Sequence, residues 1–150
     1  NDLRDDLMPF INANYSVKTD REHTAIAGLS MGGRESLFIG FTMPETFGYI
    51  GAFSPAPGLL PLSFPGAGNR PAFPGQFTED DLAVKAGAPA PLFLMMCNGE
   101  QDEIVKFCTA GYEAALNKNG VEHLYYTMPG GHDFGVWRNG LYHFAKRIFK

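Results

Sequence analysis

Several features that would fix a protein's class at once are missing from this sequence. No run of 18 apolar residues occurs among its 150 positions, so no membrane-spanning helix is expected. No basic cluster occurs either. Lys and Arg number 12 against 16 Asp and Glu, giving a formal charge of −4, which argues against nucleic acid as a partner. No His, Cys, Asp and Glu spacing suggests a metal site and no glycine-rich loop suggests a nucleotide, so neither metal nor cofactor is expected. Internal repeats, low-complexity tracts and an interdomain linker are absent. Cysteine is scarce: Cys97 and Cys108 are the only two. One is expected to end a strand and the other to lie in a helix, so two buried free thiols are favoured over a disulfide, and the redox compartment stays open.

What is present describes one well-buried domain. Hydrophobic residues make up 45% of the chain and aromatic residues 13%, enough for a single core and no more at this length. Leu3, Leu7, Phe10, Ile11 and Tyr15 recur at helical spacing and predict an amphipathic helix over 2–15 that packs one face. Further on, alternating signals predict a strand at 23–27, a helix at 34–42 stopped by Pro44, and a strand at 47–53. Residues 54–91 hold most of the prolines and the exposed-looking aromatics Phe64, Phe73 and Phe77. That stretch reads equally as a functional lid or a tolerated surface insertion, with a short helix at 79–86. A continuous apolar run at 91–97 suits a strand buried on both faces. A helix at 104–119, a strand at 122–128 and an amphipathic helix at 137–149 complete the chain. Strands alternating with helices imply an α/β fold with a mainly parallel sheet and flanking helices.

The chemistry gathers where those strands end. Gly28-Leu29-Ser30-Met31-Gly32-Gly33 falls between a strand and a helix, the setting of a nucleophile elbow. Glycines at 28 and 32 let strand and helix approach closely around a serine held on a sharp turn. Asp102 follows the 91–97 strand and His132 follows the 122–128 strand, so the chain order is Ser, acid, His, as in α/β-hydrolases. A serine hydroxyl needs a base to take its proton, imidazole titrates in the right range, and a carboxylate fixes the imidazole tautomer. Ser30, His132 and Asp102 take those roles. His23 and His123 stand at the wrong strand ends and His143 lies inside a helix, so all three read as structural. Glu100 and Glu103 share the Asp102 loop and compete as the acid, whereas Asp133 reads as pointing elsewhere or holding its loop.

Several segments together resemble a known family. They are Asp6-Leu7-Met8-Pro9-Phe10-Ile11 with Asn14-Tyr15-Ser16-Val17, Asp20-Arg21-Glu22-His23, the Ala25–Gly33 elbow, and Gly131-His132-Asp133-Phe134 with Val136-Trp137. They resemble carbohydrate esterase family 1, which includes feruloyl and acetylxylan esterases with esterase D-like and enterochelin esterase-like relatives. The likeness covers nearly all of the chain except about 59–89. The family's usual Cys-Gly-Thr-x-Asp is one residue longer here, Cys97-Asn98-Gly99-Glu100-Gln101-Asp102. The resemblance implies a secreted serine esterase of α/β-hydrolase fold acting on feruloylated or acetylated plant polysaccharide. Ser30 is then nucleophile, His132 base, Asp102 acid and Met31 the source of one oxyanion-hole amide. Met31 and Trp137 are candidate substrate-pocket residues, with packing at a helix start as the equal alternative for Trp137. The family's domains are longer, with strands before the first helix seen here. The chain therefore reads as the C-terminal portion of a longer catalytic domain, whose second oxyanion donor is expected from a loop after an early strand outside it, with a separate N-terminal fragment or modules of a larger enzyme as expected partners. Siderophore, thioester and other short-acyl ester hydrolysis are alternatives within enzymes. A catalytically silent carbohydrate-binding relative is the alternative outside them.

Overall fold

The computed structural model describes residues 2–61 and 75–150. Within these residues four strands, β1 (Ala25–Leu29), β2 (Tyr49–Phe53), β3 (Phe93–Gly99) and β4 (Leu124–Met128), form one sheet. Their spatial order equals their chain order and every pairing is parallel. Among the described residues four α-helices accompany them: α1 (Met8–Asn14), α2 (Met31–Thr42), α3 (Lys106–Lys118) and α4 (Phe134–Ala145).

Strand periodicity sorts the core into two layers. Ile50, Ala52, Leu94 and Met96 point to one face, where Leu37 and Phe41 of α2 and Tyr112 and Leu116 of α3 cover them. Their neighbours Tyr49, Phe53, Met95 and Cys97 point to the other face, beneath Phe144 of α4. Because both faces are covered, β2 is buried at every position, and the central strands read as continuous apolar runs rather than as alternating ones. Full burial of a side chain such as Ile50 stabilises the fold by about 1.5–3 kcal/mol. The α4 helix comes close to the sheet because Gly140 presents no side chain: a Cβ there would stand 2.6 Å from Cys97 Sγ.

The observed elements depart from the predicted ones in ways that hydrogen bonding explains. The first strand runs Ala25–Leu29 rather than 23–27, because Arg21–His23 close a 3₁₀ turn onto Asp20. It therefore ends directly against Ser30. The last helix begins at Phe134, three residues early, since Asp133 caps it with bonds to Gly135 N and Val136 N. The helix predicted at 79–86 shrinks to one 3₁₀ turn, Glu79–Asp81, with Gly87 (φ 82°) shortly beyond. Phe77 is buried, not exposed, its ring centroid 5.0 Å from that of Phe38. Phe64 and Phe73 lie outside the described residues. The predicted N-terminal helix is a π-helical turn, Asp2–Leu7, joined to α1, and neither contains a buried residue. Pro9 has no N–H to continue the hydrogen-bond ladder across that junction. Leu7, Phe10 and Tyr15 are exposed, while Leu3, Met8 and Ile11 lean over a groove floored by Val17, Phe47 and Phe149. The predicted packing face thus meets little of the described chain.

Cys97 and Cys108 are both free and buried. They belong to the two different core layers, so the sheet stands between them. Burial pushes each thiol up to about 11, and the neutral thiol is favoured until the solution becomes strongly alkaline. A disulfide reagent in mildly alkaline solution is therefore expected to leave both thiols of the folded chain unmodified and to titrate both after guanidinium is added. Rapid native-state reaction of either would contradict this packing.

Candidate active site

The site begins with a backbone constraint. Ser30 links β1 to α2 at φ 51°, ψ −117°, a left-handed conformation that costs a residue with a side chain about 1–3 kcal/mol. The second strand holds it there. Ser30 N donates to Phe53 O (2.9 Å), and Ser30 O accepts from Ala56 N (2.9 Å) and Arg34 N (3.1 Å). Tyr112 anchors the far side of the loop after β2 by donating to Ala56 O at 2.7 Å. Serine at a helix N-cap ordinarily turns its hydroxyl back onto the helix. Here it makes no such bond and reaches the histidine instead.

His132 Nε2 lies 2.9 Å from Ser30 Oγ, and His132 Nδ1 lies 2.8 Å from Asp102 Oδ2. A carboxylate can only accept, so Nδ1 carries the proton and Nε2 is left to accept from the serine hydroxyl. Asp102 has no exposed surface. Its other oxygen, Oδ1, accepts from Ile104 N and Val105 N, both at 3.1 Å. The structure thus joins residues 102 apart in sequence, from three different strand ends, into one hydrogen-bonded line. Ser30 also stands at the N-terminus of α2, where the helix dipole favours negative charge.

The competing residues are held elsewhere. Glu103 pairs with Lys106, and Glu100 is exposed. Asp133 Oδ2 accepts from Gly131 N and Oδ1 from Gly135 N and Val136 N. Those amides, Gly131 first, hold its carboxyl below the usual range, and of the two readings left open for it, holding the loop is the one the bonds support. His23 bonds Asp20 and Lys18, His123 bonds Val121 O, and His143 packs edge-on to Tyr126. Met31 opens α2, so its N–H is among the first-turn amides with no intrahelical carbonyl to reach, and its side chain is exposed. Trp137 sits in the first turns of α4. Its ring centroid is 5.0 Å from that of His132 and 5.0 Å from that of Phe134, and its indole nitrogen is buried without a partner. With Leu29, Phe53, Phe134 and Leu141 it lines an apolar cavity of about 330 Å³. Trp137 thus both packs against the imidazole and forms part of the wall of that cavity.

The two motif glycines turn out to differ. A Cβ on Gly28 would overlap the carbonyl group of Gly32, whereas one on Gly32 would meet nothing within 4 Å. The second tight position is Gly33, whose Cβ would stand 3.1 Å from Pro55 Cα and 3.2 Å from Phe53 O. The elbow is tight at Gly28 and Gly33, and Gly32 contributes only its backbone.

A parallel sheet with flanking helices, bearing such a Ser–His–Asp line at its strand ends, is of the α/β-hydrolase class. A family model for putative esterases, Esterase, matches residues 1–148, and the chain belongs to that family. Among solved structures it is similar to a CE1 ferulic acid esterase from Anaeromyces mucronatus in complex with ferulic acid. The TM-score is 0.90 at 33% identity, covering 99% of this chain and 53% of that one. The iron(III) salmochelin esterase of Escherichia coli O6:H1 is 29% identical over 147 residues, covering 93% of this chain and 34% of its own length. An endo-1,4-beta-xylanase/feruloyl esterase of Xylanibacter ruminicola is 48% identical over 52 residues, which is 35% of this chain and 7% of that protein. The chain thus spans about half the length of the ferulic acid esterase and about a third of the salmochelin esterase.

The glycine geometry yields a direct test. Gly28→Ala is expected to destabilise the chain by about 1–3 kcal/mol or more, the cost of overpacking against immovable backbone. Gly32→Ala is expected to stay within about 1 kcal/mol of the parent. Urea unfolding midpoints of the two variants check this, and equal losses would refute it.

Proposed function

We propose that the protein carrying this chain is a serine carboxylesterase in which Ser30 is the nucleophile, His132 the general base and Asp102 the orienting acid. The observation that carries the reading is the unbroken line Ser30 Oγ–His132 Nε2 (2.9 Å) and His132 Nδ1–Asp102 Oδ2 (2.8 Å). Ser30 Oγ attacks the ester carbonyl carbon while His132 Nε2 takes its proton. The developing oxyanion is met by the Met31 amide at the start of α2. His132 then returns the proton to the departing alkoxide, and the alcohol leaves an acyl-serine. Water, deprotonated by the same nitrogen, attacks that acyl group; the Ser30 Oγ–acyl bond breaks, the acyl group leaves as the carboxylic acid, and His132 returns the proton to Ser30 Oγ. Asp102, held by three donors, keeps Nε2 facing the serine throughout. The second oxyanion donor is proposed to come from polypeptide outside these 150 residues, as in a longer catalytic domain.

Feruloyl esters on plant xylan are the proposed substrates, with the enzyme acting outside the cell. This is supported by likeness to a ferulic acid esterase across 99% of the chain and to a xylanase/feruloyl esterase over 52 residues. The aromatic pair Phe134 and Trp137 beside His132 is compatible with a flat acyl group. A second reading, hydrolysis of a siderophore ester, is supported by the likeness to the salmochelin esterase across 93% of the chain.

The intact protein should be modified at Ser30 by a fluorophosphonate and should cleave methyl ferulate faster than 4-nitrophenyl acetate or acetylxylan. Absence of modification in folded protein would reject the esterase, whereas modification without ferulate cleavage would reject only the substrate. Asp102→Asn retains an acceptor for Ile104 N and Val105 N but offers His132 a donor in place of an acceptor. Turnover should fall by roughly 10⁴-fold, the typical effect of the wrong tautomer, with thermal unfolding little changed. Asp102→Ala should also lose stability, about 1–3 kcal/mol for each buried donor left unpaired.

A further inference from the structure

The imidazole is fixed at both nitrogens, yet the loop that carries it is built from glycine. Gly130 and Gly131 precede His132, and Gly130 adopts φ 137°, a conformation that no side chain stiffens. Gly131 N is tied within the loop to Asp133. Gly130 is tied across to the acid loop, by one residue. Gly130 N donates to the side-chain oxygen of Gln101 at 2.7 Å, and Gly130 O accepts from Gln101 N at 3.0 Å. Both polar groups of Gly130 are therefore clasped by Gln101, which stands next to Asp102. Glu100 N donates to Met128 O at 2.9 Å just before, so the clasp continues the β3–β4 pairing past the strand ends. Gly99 allows the close approach, since a Cβ there would overlap the Gly130 carbonyl.

Gln101 is itself exposed, and an exposed amide hydrogen bond contributes little to folding. Its position matters more. The clasp sets the distance between the residue before the acid and the residue two before the base, and thus whether Nδ1 meets Asp102 while Nε2 meets Ser30. Nothing in the loop sequence advertises this, because a glutamine among Asn98, Gly99 and Glu100 reads as ordinary polar turn material.

We propose that Gln101 is a positioning residue that holds His132 in register with Asp102 and Ser30. The proposal deepens the esterase reading above and rests on it. Two substitutions separate positioning from simple loop stability. Gln101→Met keeps the side-chain volume and removes the acceptor, and Gln101→Glu keeps an acceptor for Gly130 N. The readouts are the downfield proton resonance of His132 Nδ1–H, the rate of fluorophosphonate modification of Ser30, and the urea midpoint.

The Met variant should remain folded, lose or broaden the Nδ1–H resonance, and be modified on the order of 10- to 100-fold more slowly, the scale of an angstrom of misplacement. The Glu variant should restore both signals. A Met variant that unfolds outright overturns the proposal. So does one that folds with its resonance and rate within about twofold of the parent, well short of the expected misplacement effect, and so does a Glu variant that fails to restore them. If the unsubstituted protein is not modified at all, the esterase reading falls, and the resonance alone still decides the role of Gln101.

Discussion

A carboxyl group removed wholly from water must be given hydrogen-bond partners, or it will not stay there. Asp102 is such a group, and the geometry around it follows from the need to supply donors. Two come from Ile104 N and Val105 N, which forces the chain to turn back immediately after β3 and leads straight into α3. The third comes from His132, which brings the loop after β4 across to the loop after β3. The main chain is bound in as well, since Asp102 O accepts from Lys106 N at 3.2 Å. The acid loop, the start of α3 and the histidine loop therefore form one hydrogen-bonded unit, and none can shift without exposing a donor or stranding an acceptor.

The serine side of the site rests on a different constraint, backbone strain. Ser30 and Ser54 both hold positive φ, 51° and 45°, at the adjacent ends of β1 and β2. Neither is glycine, and each conformation persists only because neighbours over-determine it. Ser54 N is pinned to Cys97 O at 2.7 Å, and Ser30 N to Phe53 O. Beta-2 thus contributes no side chain to the Ser–His–Asp line, yet it is the element against which the serine is braced. Its complete burial between two helix layers gives it the rigidity for that task.

Much of this was legible beforehand, for physical reasons. Strands covered on both faces must be apolar throughout, so the runs ending at Phe53 and Cys97 were visible. Polar residues placed just past such runs, Ser30, Asp102 and His132, were recognisable as strand-end groups. Boundaries were less readable, because caps and turns decide them. Asp133 extends α4 backwards by accepting two amides, and the 3₁₀ turn at Arg21–His23 delays β1. The roles of Gly32 and Gly33 could not be told apart, since a motif records which residues lack a Cβ and not which of them faces backbone. Phe77 looked exposed in a proline-rich stretch, where no periodicity reveals that it turns inward to Phe38. The apolar stripe of the N-terminal helix was legible, but not that it would find little of the described chain to rest on.

The sheet is laid down in the order in which a ribosome would deliver it. Beta-1 and its serine emerge before β4 and its histidine, which follow more than ninety residues later. Domains generally fold as units once their parts are available. During synthesis the hydroxyl of Ser30 therefore has no base beside it until His132 has been made. The Ser30–His132 hydrogen bond therefore joins parts of the chain made far apart in time, and until β4 pairs beside β3 the serine keeps an ordinary hydroxyl.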